Sequence, residues 1–169
     1  MKTLQTRVSP EPNKSSVYPK GCSPVDYEKL TTLQIISALC SLLPGSLQAI
    51  DENSEELFYR FVHLSDIDRS AFSYNWPYVI QAARKQGFYY QNGQGIVYFY
   101  LRMNAHDSRN CTLIVVNHLG YESETVVCEL AEAAKKLAIP SIIKNIDRNK
   151  VSLWNKLGFQ ETIEPWSKY

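Results

Sequence analysis

At Phe88 the spacing of apolar residues changes from the helical period to the strand period, and the succession that follows restricts the fold more than any other part of the chain. Phe88-Tyr89-Tyr90 and residues 96–103 are aromatic and β-branched, and Asn92, Gly93 and Gly95 between them supply turn chemistry, which predicts a hairpin. Residues 111–116 form a continuous apolar run suited to a central strand. A helix is expected over 125–137, with Val126, Val127, Leu130, Ala134 and Leu137 on one face and Pro140 beyond its end. A short strand over 141–146 and a short helix over 149–157, stopped at Gly158, complete the series. Hairpin strands followed by strand, helix, strand and helix predict an α/β (α+β) fold, a mixed, mainly antiparallel sheet flanked by helices.

Upstream, Ser23-Pro24 offers an N-cap and a proline at the first helical position. Leu30, Leu33, Ile36, Cys40 and Leu43 then recur at helical spacing until Pro44-Gly45. Residues 55–64 carry a pattern that is helical or mixed, 65–73 read as a connection, and Trp76-Pro77 opens a helix that Gly87 ends. Residues 1–22 hold Pro10, Pro12 and Pro19, several Ser and Lys, and few large apolar side chains. Such a composition does not offset the entropy of ordering, and a flexible tail is expected there. Residues 23–169 are left as a single domain, large enough to bury one core.

The balance of 18 Lys and Arg against 17 Asp and Glu leaves a net charge of +1, without the field that draws basic domains to nucleic acid or anionic membranes. The apolar stretch 30–43 is interrupted by Thr31, Thr32, Gln34, Ser37 and Ser41 and falls short of the roughly 20 residues of a membrane span. Cys22, Cys40, Cys111 and Cys128 are scattered, as are His63, His106 and His118, without the spacing of a metal site. The first residues do not read as a secretory leader, so a cytoplasmic protein with reduced cysteines is expected.

The closing segment Leu153-Trp154-Asn155-Lys156-Leu157-Gly158-Phe159 resembles the second conserved block of the GNAT (N-acetyltransferase-like) superfamily, Asn-x-x-Ala-x-x-Leu-Tyr-x-Lys-x-Gly-Phe. Leu153, Lys156, Gly158 and Phe159 stand at matching positions, and the resemblance extends over about 88–159. It implies an acyltransferase that moves an acyl group from acetyl-CoA or another acyl-CoA to a primary amine on a small molecule or protein. It also implies two neighbouring strands that splay apart, with the acyl-carrier arm bonded to strand backbone between them. The corresponding positions are Val115, Val116 and Asn117, with Leu119, Gly120 and Tyr121 beyond. Asn149 lies near the family's arm-contacting Asn, and a helix N-cap explains it equally well.

Departures from the pattern bear on chemistry. Asp147 stands in place of Asn, Lys150 in place of Ala, and Trp154 in place of the Tyr that the resemblance makes the general acid. An indole has no proton to give at neutral pH. The loop expected as Gln/Arg-x-x-Gly-x-Gly/Ala reads His118-Leu119-Gly120-Tyr121-Glu122-Ser123-Glu124. Glu122 and Glu124 are stabilised at a helix start by about 0.3–1 kcal/mol, for the reason a phosphate would be, and they oppose a pyrophosphate there.

His118, at the end of the central strand's apolar run, is the nearby titratable group whose unperturbed pKa suits a general base, which makes it the catalytic candidate. Strand alternation places Tyr98 and Tyr100 on one face and Val97, Phe99 and Leu101 on the other. Tyr74, Tyr98 and Tyr100 are candidates for the wall of a substrate pocket, and the edge of a core accounts for them as well.

Two further functions stay open. The altered loop and Trp154 suit a GNAT-like module that binds a ligand or partner without catalysis. Phe72-Ser73-Tyr74-Asn75-Trp76-Pro77-Tyr78, Val116-Asn117-His118-Leu119-Gly120 and Ile142-Ile143-Lys144-Asn145 resemble the GNAT-like domain of phosphatidylglycerol lysyltransferase-type proteins, which implies aminoacyl transfer from tRNA. That role requires Arg84, Lys85, Arg102, Arg109, Lys144, Arg148 and Lys150 to cluster. One strand, over 160–163, follows the last helix where the family has a closing pair, so a second copy in a homodimer is a candidate source of the missing strand.

Overall fold

A computed structural model describes residues 2–6, 24–52, 54–64, 70–103, 111–146 and 148–162, with side chains described within these ranges except at 2–6, 24–30, 62–64, 70–75, 145, 161 and 162. Seven strands form one sheet. In spatial order they are β2 (Ser46–Ala49), β3 (Phe88–Gln91), β4 (Gly95–Met103), β5 (Cys111–Gly120), β6 (Ser141–Ile146), β1 (Lys2–Thr6) and β7 (Phe159–Thr162). Every neighbouring pair is antiparallel except β5 and β6, which run parallel. The helices are α1 (Pro24–Leu42), α2 (Ser54–Leu64), α3 (Ser70–Arg84), α4 (Ser123–Lys136) and α5 (Val151–Lys156), the last preceded by a 3-10 turn over Arg148–Lys150. The mixed, mainly antiparallel sheet flanked by helices is the architecture expected from the order of patterns.

The β3–β4 hairpin, β6 and α4 occur where periodicity placed them. α3 differs: it begins at Ser70, and Pro77 lies inside it rather than at its opening. Proline removes one N–H from the helical ladder but fits helical φ, so the helix runs through a residue that sequence patterns treat as a boundary. The tail expected over 1–22 is corrected at Lys2–Thr6, which pairs with β6 on one side and β7 on the other. Averaging composition over a proline-rich segment hid a short strand that two unmet strand edges can recruit. The same strand fills the place assigned above to a second copy, so the closing pair is completed within one chain.

Each face of the sheet carries its own core. On one, Ile36 and Leu39 of α1, Val126, Val127, Leu130 and Ala134 of α4, and Trp154 of α5 pack over Tyr90, Val97, Phe99, Leu113, Val115 and Ile143. On the other, Phe58 and Phe61 of α2 and Val79 and Ala82 of α3 cover Tyr89, Ile96, Tyr98, Tyr100, Ile114, Val116 and Ile142. The alternation predicted for the hairpin is therefore observed, with Tyr98 and Tyr100 opposite in facing to Val97, Phe99 and Leu101. Gly45 lets the end of α1 close onto β3, because a Cβ there would lie 2.1 Å from the Gln91 carbonyl oxygen. Tyr90 secures the same corner, accepting the Gly45 N–H at 3.2 Å and donating its hydroxyl to Glu129 of α4. No helix among the described residues is long and apolar enough to cross a membrane.

Candidate functional site

The opening in the sheet follows from register. The β5–β6 ladder covers Leu113, Ile114 and Val115 against Ser141, Ile142 and Ile143, and both strands then run on without pairing to each other. The cause is visible on the other side of β5. Tyr98 of β4 faces Asn117 and Phe99 faces Val115, so Val116 is an extra residue, a β-bulge. A bulge bends its strand and increases local twist, which turns the last half of β5 away from β6. Opposed residues share a face, and the bulge leaves Val116 and Asn117 both on the side of Tyr98, with His118 on the other.

At the far end of β5, Gly120 has φ +127 and a Cβ there would lie 2.3 Å from the Gln94 carbonyl oxygen. Glycine at this position lets the strand end tuck against the β3–β4 turn before the chain reverses into α4. α4 therefore starts directly beyond the opening, with Glu122 in the N-cap position making no side-chain cap. One of the two carboxylates at this helix start is paired from outside: Lys150 Nζ donates to Glu124 Oε1 at 2.7 Å. Burial pushes the Glu124 pKa up, but the Lys150 hydrogen bond and charge prevail and hold it below its ordinary value, so the Glu124 carboxylate is ionised at neutral pH.

His118 sits beneath this turn. Its Nδ1 shares a hydrogen bond with Ser123 Oγ at 2.7 Å, and its ring meets the edge of Trp154 at 5.5 Å between centroids. Trp154 is buried and meets Phe159 at 5.4 Å in a second edge-on contact. Burial lowers the His118 pKa to about 4, with Glu124 opposing the change and Lys150 reinforcing it. The ring is neutral at pH 7, and its conjugate acid is too strong for it to draw a proton efficiently from an ammonium group. The ordinary pKa expected of a general base is thus revised, and the contacts make His118 a residue that joins β5, α4 and α5.

Acid is expected to weaken the fold through this residue. The unfolded chain binds a proton near pH 6.5 that half-buried His118 refuses until about pH 4, so its contribution is complete above pH 6.5 and is lost as pH falls through about 4. His118→Gln should lose on the order of 2 kcal/mol less stability than the parent between pH 7 and pH 4.5. Urea midpoints at the two pH values measure the difference, and equal losses would show that His118 does not couple folding to pH.

The remaining candidates divide between the opening and elsewhere. Val115, Val116, Asn117, Leu119, Gly120 and Tyr121 line the terminal half of β5 and the turn after it, with Tyr121 exposed. The Asn117 side chain folds back, its Oδ1 accepting the His118 N–H at 2.9 Å. Asn149 is exposed in the 3-10 turn, next to the Lys150 that reaches α4. Tyr98 is fully buried one strand away, opposite Asn117. Tyr100 belongs to the other end, opposite Ile114, where its hydroxyl and ring are both taken by Lys85, at 3.4 Å and 4.7 Å. The Tyr74 side chain lies outside those described.

Sequence reasoning missed Ser123 and the Lys150–Glu124 pair. A helix-starting serine five residues after a histidine is a readable signal for the first, but the second joins residues that only the fold brings together. Burial raises Cys111 to about 12 and Cys128 to about 11, where the reactive thiolate is scarce.

No family model, curated protein or solved structure matches this chain.

Proposed function

We propose that this protein is an N-acyltransferase of the GNAT type, holding an acyl-CoA between β5 and β6 and passing the acyl group to a primary amine. The observation that carries the reading is the parallel β5–β6 pair, whose ladder ends after three residue pairs at a bulge, with α4 beginning just beyond. Strand backbone past a ladder's end is suited to bonding an amide-containing arm, and a helix start lies where the arm's anionic end would emerge. The position of Lys150 beside Glu124 supports the same reading, because its ammonium offsets one of the two carboxylates, Glu122 and Glu124, that would repel a phosphate. Catalysis in such a site depends on placing amine and thioester together and on hydrogen bonds to the developing oxyanion, so it does not require a single side-chain base.

Thermal unfolding with acetyl-CoA tests the proposal. Ligand at 100 times its Kd adds about 2.7 kcal/mol, which for a chain of this length raises Tm by roughly 5–10 °C. Absence of a shift with acetyl-CoA and with longer acyl-CoAs would refute it. A second reading, binding in the same opening without transfer, is favoured by Trp154, whose buried indole fills an aromatic position without an acid's proton. A ligand-induced shift with no acylated amine formed would select it. The aminoacyl-tRNA reading receives less support. Lys85 and Arg102 lie at the start of β5, and Arg148 and Lys150 lie beyond its end, about 30 Å away at strand rise.

A further inference from the structure

Among the described residues, the Tyr98 hydroxyl is a buried side-chain polar group with no hydrogen-bond partner. The large majority of such groups in native cores have a partner, protein or water, so an orphan asks what partners it when the protein works. Its neighbours do not. Tyr89, with a ring centre 6.2 Å away, gives its own hydroxyl proton to Gln48 Oε1 at 2.8 Å. The Phe58 ring, 5.8 Å away and itself edged by Trp76 at 5.2 Å, is apolar.

The location ties this orphan to the opening in the sheet. Tyr98 stands opposite Asn117, next to the extra residue Val116. Its core also contains Ile114 and Val116 of β5 and Ile142 of β6, which together span the point where the two strands part. Burial, and secondarily Tyr89, pushes the Tyr98 pKa up, so the hydroxyl keeps its proton and acts as a donor. The Phe58 ring 5.8 Å away and the apolar core that Tyr98 shares with Ile114, Val116 and Ile142 suit a neutral acceptor and disfavour an ammonium.

We infer that Tyr98 donates its hydroxyl proton as a hydrogen bond to the thioester carbonyl oxygen of the acyl donor and so recognises the acyl group itself. The inference rests on the acyl-carrier reading of the β5–β6 opening, and it adds a residue that distinguishes loaded from unloaded carrier. Removing the hydroxyl alone should leave the fold as stable as before or more so, because an unpaired buried group is lost without a partner being orphaned.

Calorimetric titration of the full chain with acetyl-CoA and with CoA, for the parent, Tyr98→Phe and Tyr89→Phe, tests this. The parent should bind acetyl-CoA about tenfold more tightly than CoA, the worth of one good hydrogen bond. In Tyr98→Phe the two ligands should bind alike, with CoA affinity unchanged and Tm equal or higher. Tyr89→Phe, which breaks the bond to Gln48, should lower Tm and keep the preference. A preference retained in Tyr98→Phe overturns the inference and leaves the acyltransferase reading standing, as does a marked fall in Tm, which would mean the hydroxyl is paired within the fold. Failure of the parent to bind either ligand overturns both.

Discussion

Trp154→Ala should lower stability by about 3–5 kcal/mol, the range for truncating a large buried aromatic, and Tm by roughly 6–20 °C. Trp154 is 1% exposed and joins His118 on β5 to Phe159 on β7 through two edge-on contacts. Its loss therefore opens a cavity and removes ring pairs that add about 0.5–1.5 kcal/mol each beyond area. Trp154→Phe retains part of the contact and should lose less than half as much. Water reaching His118 in the alanine variant should also raise that residue's pKa from about 4 toward its ordinary value, since burial is the main cause of the depression. Denaturant midpoints and imidazole titration by NMR measure the two effects together. A loss under about 1 kcal/mol would mean that neighbouring side chains close the cavity.

Leu4→Pro is expected to cost about 2–4 kcal/mol, because proline withdraws an N–H from an interior ladder and leaves a neighbouring carbonyl unpaired. Leu4 faces Ile143 of β6 on one side and Glu161 of β7 on the other. β7 lies at the edge of the sheet and pairs with β1, so damage to β1 should reach it first. Amide hydrogen exchange should show protection lost at Phe159–Thr162 while Tyr98 and Phe99 of β4 keep theirs. Unchanged protection in β7 would show that the strand is held by α5 and not by β1.

Local chemistry made much of the fold readable. Pro24 and Pro44-Gly45 bracket α1, and the hairpin's turn residues set β3 and β4 in register, because these signals act within a few residues. β1 was not readable, since what makes Lys2–Thr6 a strand is two edges supplied from the opposite end of the chain. β5 was expected to stop at Val116 and runs to Gly120; alternation breaks at a bulge, so the strand pattern fails at the residue that shapes the site. The site itself was half legible. His118 and the β5 terminus could be named from position, but the pKa of His118 depends on burial, Glu124 and Lys150, which act on it only in the folded chain.

The interior place of β1 also has a consequence in time. During synthesis β1 leaves the ribosome before every other strand, yet its partners β6 and β7 are made last. At roughly 5–20 residues per second the wait is about 7–30 s. Strands β2 to β5 can pair with sequence neighbours as they emerge, whereas β1 closes contacts across nearly the whole chain, the slowest kind to form. Docking of β1 is therefore the step in which a nascent chain is exposed longest, and from the moment β6 is made until β1 docks, its free edge is open to strands of other molecules.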